Sequence, residues 1–171
     1  IMGEVPFEEK DSESKYYLFE EHTERSTIRG YIEEGDTTTA SPAIVFPKNE
    51  NVHLNGPITF EDITLDMNGS TLYARGNKII FGAGVEFVDI TNSSLFTGTQ
   101  WSRGLSKDTY SYQVAHNMEI DSDTTVPSVQ LGVASANAHT EIPGGTVTLN
   151  NGTIQFFRFR CGKGDDNGKL T

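Results

Sequence analysis

The chain lacks what would tie it to a disulfide framework, a bilayer or a nucleic acid. Cys161 is the only cysteine, so no disulfide forms within the chain. No apolar stretch approaches the ~20 residues that cross a bilayer, so no membrane insertion is expected. Lys and Arg number 13 against 24 Asp and Glu, a net charge of −11. Binding to nucleic acid without sequence preference runs on cations that neutralise phosphates, so no nucleic-acid partner is expected either. A sustained apolar period of 3.6 residues is also missing, which excludes long helices. The histidines (His22, His53, His116 and His139) stand apart, with no HxH or HExxH spacing for zinc. Gly82-Ala83-Gly84 lacks the third glycine and following helix of a dinucleotide site. The opening Ile1-Met2-Gly3 runs into acidic residues rather than a charged-then-apolar leader, as a mature or excised domain would.

What is present points to one β-rich domain. The length of 171 residues suits a single domain, and ten Phe and six Tyr argue against disorder. Eleven of the acids precede residue 40. Residues 1–26 therefore read as an acidic lead-in or an N-terminal cap, with a short helix or irregular structure within 7–25. From Thr27 onward, runs of two to five β-branched and aromatic residues alternate with Gly, Asn, Asp and Pro. Examples are Ala43-Ile44-Val45-Phe46, Ile63-Thr64-Leu65, Thr71-Leu72-Tyr73 and Ile79-Ile80-Phe81.

Their spacing predicts the architecture. Val85-Glu86-Phe87 falls 22 residues after Ile63-Thr64-Leu65, with two short runs between them. Three strands and a return make one coil of a three-sided parallel β-solenoid. Residues 27–171 are expected to form it, with Ile63, Leu65, Leu72, Ile80, Val85 and Phe87 facing inward. Residues 98–125 break the pattern and read as an excursion projecting from the stack. Asn151-Gly152 between two β runs is the ordinary signal of a two-residue hairpin. It keeps an antiparallel β-sandwich open as the alternative.

The stretch NGPITFEDITLDMNGSTLYARGNKIIFGAG (55–84) resembles the coils of large repetitive bacterial and archaeal surface proteins of the right-handed parallel β-helix, pectate-lyase-like kind. GGTVTLNNGTIQFFRFRCGKG (144–164) is similar to their glycine-glycine, short strand, Asn-Gly-Gly-Thr-Ile repeats, although Asn151-Gly152-Thr153 lacks the second glycine. The resemblance covers about a third of the chain. It implies a β-helix exposed outside the cell or on its surface.

Two places could carry chemistry. Trp101, the only tryptophan, lies in a polar, glycine-bounded segment with Arg103, and Tyr110 and Tyr112 follow. An aromatic face with a few polar groups is a platform for a sugar ring, so these four are the candidate ligand-binding residues. Gly164-Asp165-Asp166-Asn167-Gly168 pairs two acids with flexible glycines. Asp165 and Asp166 are the candidate ligands for a hard cation such as Ca²⁺, and no other cofactor is indicated. The same step resembles the Gly-Asp-Asp of polygalacturonase-type hydrolases, but no Asn-Thr-Asp or Gly-His-Gly accompanies it. Asp62, Asp66, Glu86 and Asp89 lie on or beside strands, and Asp66 and Asp89 would be neighbours if they took equivalent places on successive coils. The three sequons, at Asn68, Asn92 and Asn151, are about as many as chance supplies.

Three functions compete. The expected one is a non-catalytic surface module, adhesive or structural, that contacts a glycan or a neighbouring surface protein. The second is a polysaccharide lyase or glycoside hydrolase of the same fold, for which no complete set of carboxylates is visible. The third is a structural protein that associates end to end into filaments. Fold alone does not choose among them.

Overall fold

The structure, a computed structural model, describes residues 7–10, 15–18, 24–32, 34, 42–98, 116–132, 145–160 and 169–170. These residues form strands and connections with no helix, so none of them belongs to a helix long and apolar enough to cross a membrane.

Three sets of strands are visited in turn. Sheet A contains β1 (Phe7–Lys10), β2 (Lys15–Leu18), β5 (Asn51–Leu54), β8 (Thr71–Tyr73), β10 (Ser94–Phe96), β12 (Ser128–Gly132) and β14 (Phe157–Arg160), in that spatial order. Sheet B runs through β3 (Ser26–Arg29), β6 (Ile58–Glu61), β9 (Ile79–Val88), β11 (His116–Val126), β13 (Gly145–Ile154) and β15 (Lys169–Leu170). A smaller sheet C joins β4 (Ala43–Val45), β7 (Thr64–Asp66) and the second half of β9. From β2 to β7 the chain passes A, B, C, A, B, C, and neither large sheet closes on itself.

Among the described pairs, all but one are parallel. The exception is β1 on β2, where Phe7 faces Leu18 and Lys10 faces Lys15. This overturns the antiparallel sandwich. The expected return is present: Thr64 pairs with Glu86 and Leu65 with Phe87.

Side chains alternate across a strand, and in-register parallel pairing stacks like on like. Val52, Leu72, Leu95 and Val129 form one inward column in sheet A, each essentially inaccessible. Ile28, Phe60, Phe81 and Ile120 form another in sheet B. Phe60 and Phe81 stack at 5.6 Å, and Phe87 meets Phe81 edge-on at 5.1 Å. Sheet C adds Ile44, Leu65 and Phe87. Each such side chain contributes about 1.5–3 kcal/mol by leaving water.

The corners use residues that tolerate left-handed backbone. Asn49, Asn68 and Asn92, all between sheets C and A, have φ of 57°, 47° and 61°, a region asparagine visits more readily than most residues. Asn68 Nδ2 donates to the Phe46 carbonyl at 3.1 Å and ties one corner to its neighbour. The buried Ser70 hydroxyl donates to the Pro47 carbonyl and accepts the Glu50 N–H at 2.9 Å.

Four local expectations are corrected. Within 7–25 the described residues form β1 and β2 rather than a helix, and β2 pairs in parallel with β5. Residues 116–125, assigned to the excursion, are part of β11 and pair with β9 and β13. Asn151-Gly152 is not a hairpin; it lies inside β13 at a register shift against β11, with Gly152 at φ 96°. Ile80 faces outward and is half-buried, while Ile79 and Phe81 fill the core.

Candidate ligand-binding face

The outer side of sheet A gathers residues that are far apart in the chain. Val52-His53-Leu54, Leu72-Tyr73-Ala74, Leu95-Phe96-Thr97 and Val129-Gln130-Leu131 each bury their first and third side chains. Alternation turns each middle residue outward. Registered pairing then stacks Tyr17, His53, Tyr73, Phe96 and Gln130 into one column. Successive ring centroids are 5.7, 5.1 and 4.9 Å apart, from Tyr17 through His53 and Tyr73 to Phe96. These distances fall in the range of favourable aromatic pairs, each worth ~0.5–1.5 kcal/mol beyond the area it buries. A second column beside it carries amide and hydroxyl groups: Asn51, Thr71, Ser94 and Ser128.

The ring column is closed in its middle and more open toward its ends. His53 and Tyr73 are each only 5% exposed, and burial pushes the Tyr73 phenol up to about 12. Tyr17 and Phe96 are half-buried. At the corner after β8, Arg75 and Gly76 both take positive φ, and Asn77 N–H returns to the Ala74 carbonyl at 2.9 Å. This turn brings the Arg75 guanidinium 5.7 Å from the centre of the Tyr17 ring, and its Nη1 donates to Asn55 Oδ1 at 2.6 Å. The cation at this edge is thus held by a ring and an amide oxygen.

At the other end, β10 and β12 border a cavity of about 150 Å³ lined by Ser94, Phe96, Ser128, Val129, Gln130 and Phe156. Phe156 is 55% exposed and stands at the mouth, whereas Gln130 is buried. Two aromatic faces, two hydroxyls and an amide surround the space, and among the described residues no carboxylate lines it. It is smaller than the ~300–1,000 Å³ of pockets that enclose a small ligand. It can seat one ring or one side chain of a longer molecule lying along the sheet.

Trp101, Arg103, Tyr110 and Tyr112 lie outside the described residues, as do Asp165 and Asp166. The coil-region acids are not brought together. Asp66 pairs with Val88 rather than Asp89, Glu86 pairs with Thr64, and Asp62 sits at an exposed corner with Arg29 Nε 3.8 Å away. Among the described residues no three His, Cys, Asp or Glu converge as metal ligands would. What sequence reasoning missed is the ring column. Its signal was available in the apolar–x–apolar triads centred on His53, Tyr73 and Gln130, with Leu95-Phe96-Thr97 departing from them only at its threonine. No protein-family model, no curated protein and no solved structure matches the chain.

Proposed function

We propose that the chain is a non-catalytic module of an extracellular or cell-surface protein, built as a right-handed parallel β-solenoid, and that it contacts a glycan through the outer face of sheet A. The observation that carries this reading is the cavity between Phe96 and Phe156, with Ser94, Ser128 and Gln130 around it. Aromatic faces cover the apolar side of a sugar ring, and hydroxyl and amide groups pair with its hydroxyls. The strand-by-strand passage through sheets A, B and C is what a stacked coil produces, and the net charge of −11 suits an exposed, soluble surface.

The chemistry of the described lining supports the non-catalytic part. Glycosidic cleavage uses two carboxyl groups about 5–9.5 Å apart across the scissile bond. The cavity presents hydroxyls, an amide and rings, and Asp66 and Glu86 are on sheet C. A polysaccharide can rest on such a face without being cut.

The test is a panel of neutral and acidic polysaccharides read with the intact chain, Phe156→Ala and Phe96→Ala. Phe156 is well exposed, so its loss leaves the core alone. Binding should weaken by about 1–2 kcal/mol, roughly tenfold, for Phe156→Ala. Equal binding by both variants and parent removes the cavity from the site. Release of product from any polymer overturns the non-catalytic reading.

A further inference from the structure

Three Asn-Gly steps lie among the described residues: Asn55-Gly56, Asn68-Gly69 and Asn151-Gly152. This dipeptide has an intrinsic reactivity. Glycine has no Cβ to shield its backbone nitrogen, so that nitrogen can reach the preceding side-chain carbonyl carbon. The folded state decides which of the three reacts fastest, because burial and hydrogen bonds to buried or backbone partners hinder the side chain's swing onto the next residue, and an exposed tie hinders it least.

Two of the three are restrained. Asn55 is half-buried, its Oδ1 is held by Arg75 Nη1 at 2.6 Å, and Gly56 is buried. Asn68 is half-buried at φ 47°, its Nδ2 donates to the Phe46 carbonyl at 3.1 Å, and its own carbonyl accepts the Asn49 N–H at 3.0 Å. Asn151 differs in exposure. Asn151, Gly152 and Thr153 are all exposed, and the bond that ties the Asn151 amide, from Nδ2 to Asp123 Oδ1 at 3.0 Å, is itself exposed. The surrounding backbone is irregular, because the β11–β13 register shifts after Asp121–Asn151.

The fold also keeps glycine at this step. Gly152 takes φ 96°, and a Cβ there would lie 2.7 Å from the Ser122 carbonyl oxygen. A larger residue would have to move backbone to fit. The corner that needs glycine therefore preserves the reactive pair.

We infer that Asn151-Gly152 is a site of spontaneous backbone modification in the folded protein. The Gly152 nitrogen loses its proton and attacks Asn151 Cγ. A carbon–nitrogen bond forms, the bond to the side-chain nitrogen breaks, and ammonia leaves. Water then opens the five-membered succinimide to aspartate or isoaspartate. No oxidant or reductant is needed. The product carboxylate replaces a donor that held Asp123, and it lies in register with Asp121. Like charges on adjacent strands repel. The modification therefore weakens the β11–β13 contact with time and makes the chain still more acidic.

Ageing the folded chain in mildly alkaline buffer, with peptide mapping by mass spectrometry, tests this. Conversion at Asn151 should outrun Asn55 and Asn68 by about tenfold or more, a barrier difference of ~1.4 kcal/mol. The same chain in denaturant should lose this ranking, and a short peptide spanning 149–155 reports the unrestrained rate. Similar rates at the three sites in the folded chain overturn the proposal, as does an Asn151 that stays intact while the peptide converts. The second arm compares Asn151→Asp with Asn151→Gln. The Asp variant should melt lower than the Gln variant, and Asp121→Asn combined with Asp123→Asn should restore most of the difference. A drop that persists with both Asp121 and Asp123 replaced by Asn removes the repulsion from the account.

Discussion

The Thr124 hydroxyl stands in for a neighbouring strand at Phe87: it accepts the Phe87 N–H at 2.7 Å and donates to the Phe87 carbonyl at 3.2 Å. Backbone pairing between β9 and β11 reaches only Ser122–Val85, and there the Ser122 hydroxyl donates to the Val85 carbonyl at 3.0 Å. Two side chains thus complete a ladder that the main chain leaves off.

Removing one of those hydroxyls strands buried backbone. Thr124→Val keeps the shape and deletes both bonds to Phe87. The expected loss is ~1–3 kcal/mol, the cost of leaving a buried donor or acceptor unmet. Denaturant unfolding measures it, and a midpoint equal to the parent's would mean that water serves Phe87 just as well.

Leu72 lies between Val52 and Leu95 in the inward column of sheet A, and all three are at most 1% exposed. Leu72→Ala should cost ~2–5 kcal/mol through lost transfer energy and a residual cavity. Leu72→Asp buries an unpaired carboxylate in a fold whose total stability is of order 5–15 kcal/mol, so it should abolish the folded state. Thermal melts followed by circular dichroism decide both, and a cooperative transition at the parent temperature for Leu72→Asp would put this residue on the surface.

Gly84 takes φ 71°, and a Cβ added there would strike the Asp62 side chain and lie 3.1 Å from Asp62 Cα. Gly84→Ala should lose ~1–2 kcal/mol from the left-handed backbone alone, with the contact added. In an Asp62→Ala background only the side-chain part of that contact is relieved, so a double-mutant cycle should show partial recovery. Full recovery would show that backbone conformation contributes nothing.

Tyr73 should titrate late. Its folded value is raised to about 12 by burial, above the ~10 of an unfolded tyrosine. Below pH ~10 the phenol is protonated in both states and stability does not depend on it. As pH rises from ~10 through about 12 the unfolded state releases its proton first, so this contribution is lost progressively over that window. Ultraviolet titration should show one late tyrosinate that Tyr73→Phe removes, whereas a late step surviving in Tyr73→Phe would assign it to another tyrosine.

How much of this was readable beforehand depended on what alternated. Leu65 and Phe87 sit in runs with clear punctuation, and the 22-residue return between them appeared in the structure as an in-register pair. Ile63, Leu72 and Val85 were likewise placed inside correctly. Ile79-Ile80-Phe81 offers three apolar residues with no alternation, so only the circuit beside it decides that Ile80 turns outward. Asn151-Gly152 misled because a hairpin and a strand corner both demand positive φ, and that local requirement is all a dipeptide can report. β2 was hidden by charged neighbours. The ring column was the least legible feature. His53, Tyr73 and Phe96 are 20 and 23 residues apart, and nothing local joins them. Rarity, as of Trp101, is visible in one dimension, and adjacency across strands is not.

Sheet A keeps its alignment although the chain between successive members varies widely. Val52 to Leu72, Leu72 to Leu95, Leu95 to Val129 and Val129 to Phe157 are separated by 20, 23, 34 and 28 residues. Alignment is therefore indifferent to contour length. Closing a longer connection costs only ~0.6 kcal/mol for each doubling, so a foreign cassette spliced between Phe96 and His116 should leave Leu95 opposite Val129. The molecule is an accommodating frame: its face on sheet A can stay constant while the segments threaded between strands are exchanged, lengthened or redesigned.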